Sequence, residues 1–254
     1  ANCTIEGRLL TTAGAITTAS NCSASKPPCS STIPIFCEAG CQPAAAVDVL
    51  GVVSGFALFT NSGSVGNTAI SGINGDIGTN AGGVAGFSTG THIGSEQVQN
   101  GLTAQAEIDL NNAYIALMAL PIAGGVHTAA FGAGETLLPG VYDMAAGSLG
   151  GTITLDGLMD SDAIFVMRFA GAFNVAAGSK VILTNGARRC NVFWIGGANV
   201  TTGAVNIGAD ANVKGTFLSH GGACNSGVNT FLAGRQLSTL GAVNTASAIL
   251  YNNP

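Results

Sequence analysis

The amino-acid sequence predicts a mainly β protein, a β-solenoid with one long α-helix alongside. Three observations lead to this fold. The C-terminal third repeats every 19 residues, glycine is abundant while charge is scarce, and one segment has the spacing of an amphipathic helix. A 19-residue repeat is too short for a helical hairpin and fits one solenoid coil, in which tight turns join short strands.

Composition limits the kind of surface that the chain exposes. Of 254 residues, 38 are glycine and only 8% are charged, with a net charge of −5. Disorder is not expected, because disordered chains are poor in apolar residues and this chain is 47% hydrophobic. There is no basic patch to neutralise phosphates, and no apolar run approaches the roughly 20 residues that span a bilayer. We therefore expect no nucleic-acid partner, no membrane insertion and a surface of small neutral side chains.

Seven cysteines point to an oxidising compartment. Five of them lie in the first 41 residues, in a proline-rich stretch that is typical of a disulfide-stapled loop. This favours a secreted or extracellular protein, with attachment to a cell surface as a further hypothesis. A zinc site is the weaker interpretation, because no histidine lies nearby. Since seven is odd, one thiol is expected to be free or to pair with another chain. The disulfide candidates are Cys3, Cys22, Cys29, Cys37, Cys41, Cys190 and Cys224.

The repeat arranges residues in columns. The tetrapeptide at residues 203–206 recurs at residues 222–225 and 241–244, as Gly-Ala-Val-Asn or Gly-Ala-Cys-Asn. Coils stack at about 4.8 Å, the ordinary spacing between strands, so equivalent residues form straight columns. Successive side chains of a strand point to opposite faces. The apolar column is expected to point inward: Val205, Cys224 and Val243. The alanine and asparagine columns then point outward, with an inward asparagine ladder as the competing assignment.

The N-terminus belongs to the same repeat. Residues 4–20 align with residues 231–247 at an offset of 227, and nine of these 17 positions are identical. We interpret residues 1–21 as an extra coil that resembles the end of a preceding module, residues 22–46 as a stapled linker and residues 47–254 as the main solenoid domain. Two explanations stay open: a parent protein built as a tandem array, or an opening coil that stacks on a neighbouring molecule in a head-to-tail filament. No signal peptide is present, so we expect a processed or excised start.

One segment, between Thr103 and Leu120, contains neither glycine nor proline. Its apolar residues recur at spacings of three and four, which is typical of one helix face. The predicted face holds Leu102, Ala106, Leu110, Ala113, Leu117 and Leu120. Because an isolated helix of this length is marginal in water, it is expected to pack along an apolar flank of the solenoid. Pro121 marks its end.

Seven short motifs occur in a fixed order along the chain. They are Gly75-Asp-Ile-Gly-Thr79, Asp109-Leu-x-x-Ala-Tyr114, Leu137-Leu-Pro-Gly-Val-Tyr142, Asp162-Ala-Ile-Phe-Val166, Gly178-Ser-Lys-Val-Ile-Leu183, Asn191-Val-Phe-Trp194 and Lys214-Gly-Thr216. Over about residues 47–250 the chain resembles the microbial ice-binding protein family. The resemblance implies a right-handed β-solenoid of triangular section with the helix along one side. It also implies a secreted, non-enzymatic protein with antifreeze or recrystallisation-inhibiting activity.

The resemblance implies a site as well. In that family ice is bound by one flat solenoid face of loosely repeated threonine, serine, alanine and asparagine. The outward columns map this face to Thr202, Ala204, Asn206, Ala223, Asn225, Ala242 and Asn244. Ice or an ordered water surface is the implied partner. No threonine column runs through the face, because Gly221 and Leu240 stand at the positions equivalent to Thr202.

Patterns for catalysis or metal binding are weak. Gly86-Phe-Ser-Thr-Gly90 matches the nucleophile-elbow pattern, but it lies in a glycine-rich coil rather than between a strand and a helix. Asp156, Asp160 and Asp162 lack the spacing of a calcium loop and are interpreted as a solvated turn. The sequence therefore predicts no enzyme, no metal and no cofactor. A structural subunit of an extracellular filament is the alternative to an ice-binding module.

Overall fold

A computed structural model of the protein describes residues 3–6, 22–25, 48–69, 71–87, 91–128, 130–198 and 202–251. For residues 3–6, 22–25, 125–126 and 251 it describes the backbone alone. The chain divides into two compact units, Ala1–Pro34 and Ile35–Pro254.

The N-terminal unit contains two short strands, β1 (Cys3–Glu6) and β2 (Cys22–Ser25). They pair in parallel, with Cys3 opposite Cys22. The offset between these partners, 19 residues, equals the coil repeat near the C-terminus, which is the pairing expected when residues 1–21 form one coil. Because β2 begins at residue 22, coil-like pairing extends into the segment that was interpreted as a linker. The proposed boundaries near residues 21 and 46 stay predictions.

The larger unit alternates short strands with turns and contains one long helix. Before the helix come a 3-10 helix, Gly51–Gly55, and the strands β3 (Phe56–Thr60), β4 (Val65–Asn67), β5 (Gly72–Asn74), β6 (Asp76–Thr79), β7 (Val84–Ala85), β8 (His92–Ile93) and β9 (Glu96–Val98). The helix is α1 (Gly101–Ala119). After it come β10 (Gly125–Val126), β11 (Ala130–Gly132), β12 (Thr136–Leu137), β13 (Gly140–Met144), β14 (Gly147–Gly150), β15 (Thr152–Asp156), β16 (Phe165–Phe169), β17 (Phe173–Val175), β18 (Lys180–Thr184), a 3-10 helix Arg189–Asn191, β19 (Val192–Gly196), β20 (Gly203–Ile207), β21 (Asn212–Ser219), β22 (Gly221–Ser226), β23 (Phe231–Ser238), β24 (Val243–Thr245) and β25 (Ile249–Tyr251).

Successive coils arrange these strands into three faces, and the strands within each face pair in parallel. The helix face contains β10, β13, β16, β19, the C-terminal parts of β21 and β23, β3, β6 and β9. The charged face contains β12, β15, β18, the N-terminal parts of β21 and β23, β25, β5 and β8. The neutral face contains β11, β14, β17, β20, β22, β24, β4 and β7. The parallel, three-faced winding with one helix confirms the predicted solenoid class.

The coils are not stacked in chain order. The coil formed by β23 to β25 pairs with the coil formed by β3 to β5, so the N-terminal coils lie beyond the C-terminal one. Helix α1 returns the chain to the opposite end before winding resumes. Its 19 residues extend about 28 Å at about 1.5 Å per residue, which matches roughly six coil spacings. The helix is therefore long enough to run along most of the solenoid.

Helix α1 packs on the helix face, as its apolar spacing predicts. The side chains that it buries are Thr103, Ala106, Leu110, Ala113 and Leu117. The four aliphatic residues among them form one apolar cluster with residues of the strands beneath, chiefly Val141, Val166, Phe193, Ile195, Leu218 and Leu237. A second cluster fills the interior of the solenoid. Among the described residues, no helix is long and apolar enough to cross a membrane.

At the N-terminal end of α1, the buried side chain is that of Thr103 and not, as the apolar spacing predicted, that of Leu102. Leu102 is 37% exposed, while Thr103 is fully buried. Asn100 caps the helix: its Oδ1 accepts a hydrogen bond from the Thr103 backbone, and its own N–H donates to Thr103 Oγ1 at 2.8 Å. This capping box turns Thr103 toward the solenoid and leaves Leu102 on the solvent side.

Arg168 holds the C-terminal end of α1. Its guanidinium pairs with Asp143, and its Nη1 donates to the carbonyl oxygens of Met118 at 2.9 Å and Leu120 at 3.0 Å. The last carbonyls of a helix lack partners within the helix and carry partial negative charge. A buried cation on β16 therefore fixes the helix end to the solenoid.

An aromatic stack spans the interior between two faces. Phe173 of the neutral face stacks on Trp194 of the helix face, with ring centroids 5.4 Å apart. Trp194 in turn stacks on Phe217 at 5.9 Å, and its indole N–H donates to the Lys214 carbonyl at 3.0 Å. Rigid rings of this size set the separation of the two faces and support the neutral face from below.

We predict that Arg168→Ala lowers the free energy of unfolding by about 3 kcal/mol, because breaking a buried ion pair commonly costs about 3–5 kcal/mol. The lower end is expected because Asp143 is 35% exposed, so solvent screens part of the pair. Urea denaturation followed by circular dichroism measures the change. Lys180→Ala, at an exposed site on the charged face, is the control and should change stability by less than about 0.5 kcal/mol. Equal midpoints for both variants would contradict the role given to Arg168.

Candidate functional site

The three solenoid faces differ in cover and in charge. The helix face lies beneath α1. The strands of the charged face include Asp156, Lys180 and Lys214. The eight described strands of the neutral face contain no charged residue at all. The neutral face, whose outward side chains are partly or fully exposed, therefore agrees with the small-residue face expected from the sequence.

Side chains on the neutral face alternate as the repeat predicts. The residues that point inward in one register column are Phe173, Val205, Cys224, Val243 and Val65. Each of them has an exposed fraction of 0%. The predicted inward apolar column is confirmed, and its close packing gives the outer surface a firm base.

Asparagines form a hydrogen-bonded column on the outside of the neutral face. Asn206 Nδ2 donates to Asn174 Oδ1, Asn225 Nδ2 to Asn206 Oδ1, and Asn244 Nδ2 to Asn225 Oδ1, each at 2.9 Å. All four side chains are partly or fully exposed. We call Asn174, Asn206, Asn225 and Asn244 the asparagine ladder. The outward assignment is confirmed and the inward alternative is wrong.

Asn174 was missed in the sequence because it falls outside the repeat. It stands 32 residues before Asn206, whereas the other members are 19 residues apart. Coils differ in length through their turns, and only the strand register brings Asn174 into line. A search for asparagine at every second position of apolar strands finds this residue, while a search at a fixed period does not.

Small residues flank the asparagine ladder on both sides. On one side lie Ala204, Ala223 and Ala242, and on the other Gly208, Gly227 and Ala246, all partly exposed. Thr202 is exposed just before β20. The register between β20 and β22 shifts there, so Gly221 lies opposite Gly203 and not opposite Thr202 as the 19-residue spacing suggested. Leu240 is 50% exposed at this edge.

Buried hydroxyl groups fix the corner between the helix face and the neutral face. In four coils a serine or threonine at the end of a helix-face strand donates to a glycine carbonyl of the coil before it. The pairs are Ser219–Gly203 at 2.7 Å, Ser238–Gly222 at 2.8 Å, Thr60–Gly241 at 2.7 Å and Thr79–Gly63 at 2.7 Å. Glycine is needed because a Cβ at Gly241 would lie 2.2 Å from the Gly222 oxygen. The same turn is thus repeated in these four coils, and the neutral face starts at the same place in each of them.

Cys224 is a free thiol beneath the neutral face, so its assignment as a disulfide candidate was wrong. Its side chain continues the buried valine column, and its Sγ lies 3.6 Å from the Phe217 carbonyl. Burial raises the pKa of the thiol to about 12. One free thiol leaves six other cysteines, an even number, so the odd cysteine no longer indicates pairing with another chain.

The remaining disulfide candidates stay predictions. Cys190 is buried at the 3-10 helix before β19. For Cys3 and Cys22 the backbone alone is described, and it places them opposite each other in β1 and β2. Cys29 and Cys37, like Cys41, lie outside the described residues.

His220 connects α1 to the corner of the neutral face. Its ring stacks on Tyr114 of α1 with centroids 3.9 Å apart, and its Nδ1 lies 3.0 Å from Thr239 Oγ1. Burial lowers the pKa of the imidazole below its ordinary value, because the charged form loses hydration. The neutral ring is the form that the fold favours.

The candidate catalytic and metal-binding residues do not form a site within the described residues. Asp156 Oδ1 accepts from the Leu158 backbone and Asp160 Oδ1 from the Asp162 backbone, each at 2.9 Å, as in a solvated turn. No group of three or more histidine, cysteine or acidic residues in the described ranges is placed to hold a metal ion. Ser88 of the nucleophile-elbow match lies outside those ranges.

Comparison with known proteins decides the family. The ice-binding-like family model matches residues 59–250. The chain belongs to this family. An ice-binding protein of Nostoc sp. (strain HG1) is 33% identical over 218 residues, which are 83% of this chain and 78% of that protein. Ice-binding protein K3-B1 of Typhula ishikariensis is 31% identical over 192 residues, which are 67% of this chain and 76% of that protein.

Solved structures of the family share the fold. The ice-binding protein of an Antarctic Flavobacteriaceae bacterium superposes with a TM-score of 0.74 at 32% identity, over 90% of this chain and 52% of that one. The present chain therefore spans about half of that protein. The ice-binding protein of Antarctomyces psychrotrophicus superposes with a TM-score of 0.73 at 28% identity, over 81% of this chain and 98% of that one.

We predict that iodoacetamide at pH 8 leaves Cys224 unmodified in the native protein and alkylates it after unfolding in guanidinium without reductant. The thiolate is the reactive form, and this thiol is both buried and raised in pKa to about 12. Peptide mass mapping gives the readout. Cys224→Val, which continues the valine column, is the control that loses the label and keeps the fold. A label on Cys224 in the native protein would contradict its placement.

We predict that His220 makes the protein less stable in acid. Because its pKa is lower in the folded state than in the unfolded state, the unfolded chain takes up the proton first as the pH falls. The stabilisation that neutral His220 gives to the folded state is fully present above about pH 6.5, the ordinary histidine pKa. It is lost as the pH falls through the pKa of His220 in the folded state. The unfolding free energies of the protein and of His220→Asn should therefore converge between pH 7.5 and pH 5. A constant difference over that range would count against this assignment.

Proposed function

We propose that this chain binds ice and that the neutral face is the surface that contacts it. The observation that carries the proposal is the asparagine ladder, flanked by columns of alanine and glycine on a solenoid face that bears no charge in its described strands. Membership of the ice-binding family supports the activity, and the geometry of this face supports the location.

The physical argument concerns hydration. A charged side chain holds its own water shell, which conflicts with the lattice of ice, whereas small neutral groups impose no such shell. A column repeated at about 4.8 Å offers hydrogen-bonding groups at a regular interval, and bonds mediated by ordered water are nearly as favourable as direct ones. The methyl groups of Ala204, Ala223 and Ala242 add apolar patches between these groups. Binding then requires little reorganisation of the protein.

Relatives support the same activity. The proteins of Nostoc sp. and Typhula ishikariensis that match most of this chain are both ice-binding proteins. We extend that activity to this chain because they are similar over the solenoid.

We also propose that the protein acts outside the cell. Five cysteines in a proline-rich N-terminal stretch support this location, since disulfides persist in oxidising compartments. A mass difference of two units for each disulfide between the reduced and the native protein is the direct measurement.

Head-to-tail assembly through residues 1–21 stays the alternative hypothesis to ice binding. β1 pairs with β2 inside the N-terminal unit, and the free Cys224 removes one of the arguments for a link to another chain. Analytical ultracentrifugation of the whole chain tests it, because a filament subunit should associate as concentration rises.

We predict that Ala223→Tyr combined with Ala242→Tyr abolishes thermal hysteresis and recrystallisation inhibition, because two bulky rings break the flat surface. The matched control is Ala233→Tyr. Ala233 is also a partly exposed alanine, and it lies on the charged face of the same coil as Ala242. The control should keep full activity. Full activity of the double variant, or equal loss in the control, would reject the neutral face as the ice-binding surface.

A further inference from the structure

We propose that the asparagine ladder is the positioning element of the neutral face, so that ice recognition depends on the ladder as a unit rather than on separate asparagines. This inference rests on the proposed ice binding. It concerns how the surface is organised, adds Asn174 to the residues that determine it, and identifies Gly66 as the position at which the ladder ends.

The hydrogen bonds of the ladder all run in one direction. Asn206, Asn225 and Asn244 each donate Nδ2 to the Oδ1 of the asparagine in the preceding coil, at 2.9 Å in all three contacts. A primary amide has two N–H groups and two oxygen lone pairs. The interior members, Asn206 and Asn225, use one of each within the ladder, which leaves one N–H and one lone pair free for water. The free groups are therefore presented in the same orientation from coil to coil.

The asparagines have few other contacts that could fix their side chains. Their neighbours across the face are alanine and glycine, which reach no further than a methyl group. An isolated asparagine on such a surface would sample several rotamers and would lose that freedom on binding. The ladder removes the freedom in advance, and a chain of aligned hydrogen bonds also strengthens its members through mutual polarisation. Loss of one interior member should therefore disturb both neighbours.

The ladder stops at Gly66, although the strand register continues. Gly66 lies opposite Asn244 in β4, and a Cβ built on it would lie 3.0 Å from Asn244 Oδ1. That oxygen is the acceptor at the end of the series, and Gly66 has an extended strand position. An asparagine at residue 66 would thus stand where its Nδ2 can donate to Asn244 Oδ1 in the existing direction. Asn244 Oδ1 needs to move by a few tenths of an ångström, which is feasible at the end of a side chain.

The first test lengthens the ladder. Gly66→Asn is expected to increase thermal hysteresis at equal protein concentration by about 1.5-fold or more, because a fifth member extends the ordered column and its polarisation. Gly66→Ala adds a Cβ without an amide and is the matched control, expected to stay at the wild-type level. Equal activity of the two variants would overturn the inference.

The second test compares an interior member with an end member. Asn225→Ala breaks the ladder into separate parts, whereas Asn174→Ala shortens it by one, although each removes a single amide. We expect the interior variant to lose about 2-fold more activity than the end variant. Circular dichroism and the thermal midpoint verify that both are folded. A similar loss in the two variants would mean that the asparagines act independently, which contradicts the proposal.

A structural readout separates this inference from the proposed function. In the absence of ice, the side-chain amide resonances of Asn206 and Asn244 should shift in Asn225→Ala, and their amide protons should exchange faster with water. The control is Ser148→Ala, which should leave these resonances unchanged, because Ser148 lies opposite Asn174 at the end of the ladder. If Ala223→Tyr with Ala242→Tyr abolishes activity while the ladder variants and these resonances stay unchanged, only the ladder inference fails. If that double variant stays fully active, the proposed function fails, whatever the resonances show.

Discussion

Stacking of parallel coils at the spacing of β-strands is the constraint on which the structure depends. Each strand must bond to the strands of the coils on both sides, so every residue lies over the equivalent residue of the next coil. A feature that suits one coil can therefore be repeated at the same place in the neighbouring coils. The glycine corners, the buried hydroxyl groups of Ser219 and Ser238, the valine column and the asparagine ladder are four results of this single rule.

Helix α1 makes the three faces of the solenoid different, because it covers only one of them. By covering one face, α1 concentrates its apolar packing there, and Arg168 and His220 fasten it at two points. By carrying the chain back to the far end, it also allows the N-terminal coils to stack on the C-terminal coil. The charged residues in the described strands of the solenoid all lie on the other two faces. The outward side chains of the neutral face stay partly or fully exposed, as the proposed contact with ice requires.

The sequence predicted what the coil period controls. The inward and outward columns follow from parity, and the helix was located by its apolar spacing. Contacts between distant, aperiodic positions could not be predicted: Arg168 meets the helix end about 50 residues away, and Asn174 joins the ladder across a coil of different length. For Cys224, the repeat itself contains evidence against a disulfide. Its place in an inward apolar column already opposed a disulfide, because a buried column in a parallel stack brings valines, not cysteines, next to it.

The choice of asparagine over threonine in the ladder follows from hydrogen counting. A threonine hydroxyl has one hydrogen, so a threonine that donates to the preceding coil offers only acceptors to water. An asparagine amide in the same place donates to the preceding coil and still offers both a donor and an acceptor outward. Water in ice has two donors and two acceptors in fixed directions. A column that presents both a donor and an acceptor at each asparagine can hydrogen-bond to a water molecule in either role. With no threonine column on this face, the hydrogen-bonded ladder of Asn174, Asn206, Asn225 and Asn244 is the feature to which our proposal assigns the binding of ordered water.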